Sequence, residues 1–196
     1  MRHLILLSLL ATSSALSAEP STPDTFNAIF ASTCMQNFYS QDKLRENMKK
    51  EGFETLAGDQ AEFFLGGGSG TAWIIVTSGT RYVVSLRSDS VCSVFAQQAD
   101  QKRTQSGFYD LVQSAPSPLI AKLASTTGLG PNTDETKTIA YTWSRPADAS
   151  ELLFVLTTST SSKATAQAMA SMSMVKKEGR LHGGVYHSAV PRSGPA

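Results

Sequence analysis

Hydrophobic positions follow two different periods along this chain, and the change falls at one glycine-rich stretch. Before it the spacing is helical. Phe26, Ile29 and Phe30 stand at i, i+3 and i+4, and Thr33 lies on the same face. Thr22-Pro23-Asp24 precedes them with a capping hydroxyl and a proline suited to the first helical position. A second helix is expected over 41–51, capped by Ser40, with Leu44 and Met48 on one face and Gly52 as its stop. Asp59 opens a third, single turn through Ala61, Phe63, Phe64 and Leu65.

After Gly66-Gly67-Gly68-Ser69-Gly70 the period becomes two. Residues 71–76 (TAWIIV) read as a buried strand, and Ser78-Gly79 as a turn. Residues 81–87 alternate, with Tyr82, Val84 and Leu86 on one face and Arg81, Ser85 and Arg87 on the other. Residues 91–96 (VCSVFA) return as a third strand. A helix is expected over 100–113 on Phe108, Leu111 and Val112, weakened by Gly107 and ended by Pro116 and Pro118. Residues 119–124 suit an edge strand, and 128–135 a loop. In 137–144, Ile139, Tyr141 and Trp143 point inward. Residues 151–158 (ELLFVLTT) form the most continuous apolar run, which predicts a central strand. Residues 164–177 are ambiguous. Their composition favours helix, but Ala166, Ala168, Ala170, Met172 and Met174 alternate with polar positions. Alternation tips the reading to a strand beside 151–158. The fold class that follows is α+β: N-terminal helices plus a mainly antiparallel sheet of six to seven strands, with one further helix after the third strand. The helices are expected to cover one face of the sheet.

The first apolar run has a different meaning. Arg2 and His3 precede an eight-residue apolar stretch, 4–11, and small polar residues lead to Ala18. That is the layout of a secretory signal peptide. The run is less than half of the roughly 20 residues a membrane-spanning helix needs. Cleavage is expected after Ala18, with Ser17 as the alternative, leaving Glu19-Pro20 at the mature end. No cysteine stands at the junction to accept a lipid, so the mature chain is expected free of the membrane. The domain plan is thus a signal at 1–18, a disordered leader at 19–23, a single domain over 24–178 and a flexible tail at 179–196. Past Ala18, 16 Lys and Arg balance 16 Asp and Glu. A neutral chain offers no electrostatic footprint for nucleic acid or anionic lipid. The local excess at Lys176, Lys177, Arg180 and Arg192, against Glu178, reads as a solvated basic tail.

Chain chemistry is sparse. Cys34 and Cys92, 58 residues apart, are the two cysteines. In an oxidising compartment an even pair is expected to join, and a loop of that size is worth about 4 kcal/mol. A catalytic thiolate would need a histidine or helix N-terminus beside it, and no local residue supplies either. The glycine run lacks the GK[ST] of a phosphate loop, and Thr71 stands where a nucleophile elbow around Ser69 needs glycine, so a flexible connector is expected. His182 and His187 are spaced by five, not the three or four of a helical metal pair. Asp134-Glu135, Asp59 and Glu62 read as solvated carboxylates. Trp73, Trp143, Phe64, Tyr82 and Phe154 read as core. No cofactor, metal or catalytic residue is expected.

The stretches TCMQNFYSQDKLRENMKKEGF, AEFFLGGGSGTAWII and RYVVSLRSDSVCSVFAQQAD resemble an uncharacterised family of small exported, periplasmic or lipoprotein, proteins of Gram-negative bacteria. The likeness lies in residues 33–112, with echoes at Tyr141-Thr142-Trp143 and in 156–159. It implies a bridge between Cys34 and Cys92 and an exported location, and brings no catalytic residue. The lipid-accepting cysteine of some relatives is missing here. Together these readings predict a non-catalytic periplasmic binding or interaction module of the cell envelope with a protein partner there. One concrete form is an immunity-type protein that neutralises a toxin entering the periplasm. The alternative is a periplasmic hydrolase whose residues assemble from distant loops.

Overall fold

The computed structural model describes residues 24–126 and 135–177. The signal at 1–18 with its cleavage point Ala18, the leader, Thr22-Pro23, the tail from 179, and most of the 128–135 loop lie outside the described residues.

The helices form where the apolar spacing places them. The first, α1 (Thr25–Phe30), has Asp24 as its N-cap and runs directly into a π-wound turn, Ala31–Met35. The wide turn carries the helical face past Phe26 and Phe30 to bury Thr33 and Cys34 as well. Carbonyls released by the altered winding are taken up by side chains. Asn37 Nδ2 donates to the oxygens of Ser32 (2.9 Å) and Thr33 (3.0 Å), and Thr33 Oγ1 donates to Ile29 O (2.6 Å). Helix α2 (Gln41–Lys50) buries Leu44 and Met48 as expected, with Ser40 at its N-cap position but no hydroxyl bond from it. Helix α3 (Gly58–Leu65) is two turns, not one.

Seven strands follow: β1 (Gly70–Thr77), β2 (Thr80–Arg87), β3 (Cys92–Ala96), then, after α4 (Gln101–Val112), β4 (Ile120–Ser125), β5 (Thr136–Ser144), β6 (Ser150–Ser159) and β7 (Ala168–Lys176). All pair antiparallel in the order β1-β2-β3-β7-β6-β5-β4. The fold is α+β, with α4 after the third strand. In the ambiguous 164–177 segment, residues 168–176 are a strand, which pairs with β6 throughout. It takes the middle of the seven, and β6, expected to be central, is an interior strand between β7 and β5. Continuous apolarity marks a strand buried on both faces, not its rank in the order. β7 carries the small residues Ala168 and Ala170, buried on its core face, where the π-wound turn packs. Residues 119–124 form the edge strand foreseen for them, with a register shift between Leu123 and Ser125.

One sheet face carries the core. Trp73, Tyr82, Val84, Leu86, Val94, Ala170, Phe154, Leu156, Ile139 and Trp143 pack there with Phe26, Phe30, Leu44, Met48, Phe108 and Val112 from the helices. The Cys34–Cys92 disulfide (Cα–Cα 5.5 Å) joins the π-wound turn to β3, the strand beside the centre. Helix α4 is held by polar ties at each end. Asp100 Oδ1 caps Arg103 N at 2.8 Å, Gln105 Nε2 donates to Thr158 Oγ1 at 2.8 Å, and Trp143 Nε1 donates to Val112 O at 2.7 Å. Where α1 crosses α4, Asn27 Nδ2 bridges Asp24 Oδ2 and Thr104 O, both at 3.0 Å, and Thr104 Oγ1 reaches the same carboxylate at 3.1 Å. Gly107 lies under that crossing: a Cβ there would stand 2.5 Å from Asn27 Nδ2. Its position in mid-helix, a weakness by propensity, is what lets the two helices approach.

Two expectations follow. Replacing both cysteines with alanine should lower the urea-derived unfolding free energy by about 2–4 kcal/mol, because the unfolded chain regains the freedom of the loop. An unchanged midpoint would mean the bridge constrains nothing. Gly107→Ala should cost about 1–3 kcal/mol by overpacking the crossing, and much of that should return in Gly107→Ala with Asn27→Ala, a coupling that independent sites would not show.

Candidate functional site

Helix α3 lies apart from the other helices. It packs on β1 and β2 from the face opposite the core, with Phe64 set edge-on against Phe95 at 5.0 Å between ring centroids. Phe95 alternates with Val94 along β3 and so faces away from the core. The expectation that all helices cover one face therefore needs correcting. Phe64 itself, read as core, is half-buried and belongs to this second face.

The glycine run makes the placement possible. Gly66 takes a left-handed conformation (φ 59°) as the C-cap of α3, and the Gly67 amide bonds back to Glu62 O at 3.1 Å. Orphan carbonyls of the last turn are thereby satisfied. Gly70 opens β1 where a Cβ would lie 2.3 Å from Leu86 O. Arg87 covers the turn and pairs with Asp89 through two contacts, Nε–Oδ1 at 3.0 Å and Nη2–Oδ2 at 2.6 Å. The run is a folded corner with fixed contacts, not the flexible connector its composition implied. Ser69, at its end, shares a hydrogen bond with Ser88.

Between α3 and the strands is a hollow of about 270 Å³. Phe63, Phe64, Phe95 and Val83 give it an apolar floor, and Phe63 is 42% exposed. Phe63 meets Phe64 edge-on at 5.0 Å, so three rings form a continuous aromatic surface. Gln60, Gln97 and Arg81 stand at its polar margin. The remaining wall, Thr165 and Ala166, is held by Gln167, whose amide donates to Ala96 O at 2.9 Å and whose Oε1 accepts from Ala99 N at 3.1 Å. A second, shallower hollow of about 520 Å³ shares Gln60 and Arg81 with the first. It runs along residues 54–57, which lie beside β1 through a Thr55–Trp73 bridge, and over Ile74 and the 70% exposed Val76. Arg81 thus stands between two hollows, with no ion pair to any described residue.

Other candidates from the sequence fall elsewhere. Cys34 and Cys92 are joined and structural. His182, His187, Glu178, Arg180, Arg192 and Asp134 lie outside the described residues. Asp59 and Glu62 are exposed on α3, and Glu135 is exposed before β5. Lys176 is exposed, while Lys177 donates to the Arg145 carbonyl, so one residue of the basic tail is tied to a turn. Among the described residues no cluster of His, Cys, Asp and Glu could hold a metal ion, and no helix is long and apolar enough to cross a membrane. Shifted ionisations lie outside the hollows and have local causes. Burial, then the Asp24 charge, raises the Tyr82 phenol; burial raises Tyr109; the Arg87 hydrogen bonds hold Asp89 below the usual carboxylate range, and Arg145 does the same for Asp148. Sequence reading missed the hollow because its residues come from three separated stretches: 60–64, 81–97 and 165–166. The one available signal was Phe63-Phe64-Leu65, three consecutive large apolar residues on a short helix, more than a single narrow core-facing stripe holds. Compared with family models, with curated proteins and with solved structures, the chain matches none.

The Arg87–Asp89 clamp has a measurable consequence. Asp89 is more acidic folded than unfolded, so its contribution to stability is present above the ordinary carboxylate pKa of about 3.9 and fades as pH falls through the folded value. An NMR titration should find the Asp89 midpoint below that of a free aspartate. Arg87→Ala should return it to the ordinary range; a midpoint unmoved by that change would rule out the guanidinium as the cause.

Proposed function

We propose that the protein is a non-catalytic binding module of the bacterial cell envelope, exported to the periplasm by residues 1–18 and engaging a protein partner there. The aromatic hollow under α3 carries this reading. A partly exposed phenylalanine beside two more rings, rimmed by two glutamines and an arginine, is the composition of an interaction centre: an apolar anchor site within a polar margin. Its volume is just under the about 300–1,000 Å³ of small-molecule pockets and suits one large side chain. The disulfide supports the location, since such bridges persist where the surroundings are oxidising. The uncharged balance of the chain past Ala18 agrees with a partner other than nucleic acid.

A photo-crosslinking residue placed at Phe63 in the full chain, in living Gram-negative cells, tests the reading. One discrete crosslinked protein is expected, absent when the same residue is placed at exposed Glu46 on α2. Mass spectrometry of the recovered protein should show a mature end at Glu19 and no free thiol. An unprocessed N-terminus would overturn the periplasmic location, and identical labelling from both positions would overturn the hollow as the binding centre.

A further inference from the structure

The position of Arg81 says more about the partner, provided the binding-module reading holds. Arg81 lies at the junction of the two hollows and has no ion pair to any described residue. Three phenylalanine rings lie on one side of it. On the other side are Thr55 and its neighbours, a segment that bonds to β1 through Leu56 N to Ala72 O (2.9 Å) and Ile74 N to Glu54 O (2.8 Å). In that antiparallel bridge pattern the backbone groups of Thr55 point away from β1, and so away from Arg81 on β2, while the side of the segment nearer Arg81 walls the second hollow. The site therefore combines an apolar socket, a single cation and, past the cation, a second hollow walled by Glu54, Ile74 and Val76. A free fatty acid with its carboxylate on Arg81 would fill the first hollow and leave the second empty. A peptide fills both.

We infer that the groove receives an extended segment of a partner protein in which an acidic residue stands close to an aromatic or large aliphatic one. The apolar side chain fills the hollow against Phe63, Phe64 and Phe95, and the carboxylate pairs with Arg81. The main chain continues into the second hollow, over Ile74 and Val76. Glu54, in the wall of the second hollow, sets the polarity: a second acid at that end of the segment is repelled. The recognition element is thus one acid beside the anchor, followed by uncharged or basic residues.

A phage-displayed library of random twelve-residue peptides, panned on the full oxidised chain, tests this directly. Enriched peptides should carry Asp or Glu within two residues of Phe, Tyr, Trp or Leu. In fluorescence polarisation, Arg81→Gln should weaken them about tenfold. Changing the peptide acid to its amide should cost the same and add nothing further in Arg81→Gln, the signature of a direct pair. Lys137→Gln, a remote exposed cation on β5, should leave binding unchanged and controls for bulk charge. Phe63→Ala should weaken every enriched peptide, with the disulfide and circular dichroism verifying the fold. Enriched peptides indifferent to Arg81→Gln but sensitive to Phe63→Ala would overturn the acidic partner while sparing the binding module. Displacement by dodecanoate at equal or lower concentration would replace the peptide with a lipid carboxylate. No enrichment, together with no crosslink from position 63, would remove both readings.

Discussion

The pairing of β3 with β7 is the contact on which the architecture rests. Two antiparallel runs, β1–β3 and β4–β7, each build by local hairpins, but they become one sheet only where Cys92 to Ala96 meets Ala168 to Met172. That seam joins segments more than seventy residues apart in the chain, so closing it carries the largest loop entropy in the sheet. It also brings the apolar faces of both runs under one helical layer, with α1 on β3, the π-wound turn on β3 and β7, and α4 on β6. Without the seam, neither run has a complete hydrophobic partner, and the helices have half a surface to cover.

The other long-range features reinforce that seam. The disulfide fixes the turn after α1 to Cys92, the residue that opens β3, and Cys92 stands opposite Met172 of β7. Asn27, Thr104 and Asp24 lock α1, which packs on β3, to α4, which packs on β6, so the helices of the two runs are bound to each other across the same line. Buried polar groups of this kind add less through net energy than through the cost of leaving them unpaired, which penalises any other arrangement of the two helices. Small residues make the approach possible: Gly107 in α4, and Ala168 and Ala170 in β7.

The second face of the sheet obeys a different logic. Among the described residues one short helix lies over its β1–β2 end, and the aromatic residues there satisfy one another only in part. Phe64 finds Phe95, but Phe63 stays open to solvent beside an arginine with no described counter-ion. A face needed only for stability would gain by closing the hollow, since apolar area left in water forgoes about 25 cal/mol per Å². The folded glycine corner holds α3 at this distance from the strands and keeps the hollow formed.

Local pattern alone was enough for the elements. Helical spacing around Phe26 and Phe30, the apolar face of 100–113, and alternation in 81–87 and 137–144 each follow from one stretch of backbone choosing a conformation that hides its apolar side. The strand at 168–176 was legible for the same reason, because alternation outlasts helix-favouring composition when a sheet edge is there to receive it. The cysteine pair was legible because a chain with two thiols has one intramolecular bridge to make. The order of the strands, the central place of β7, the π-wound turn that presents Cys34 and the position of α3 on the outer face were decided by tertiary packing. So was the groove, whose walls are brought together only when 60–64, 81–97 and 165–166 meet. Periodicity reports which side of a segment is apolar; it carries no record of which distant segment that side will meet, and a site made between segments exists only after they have met.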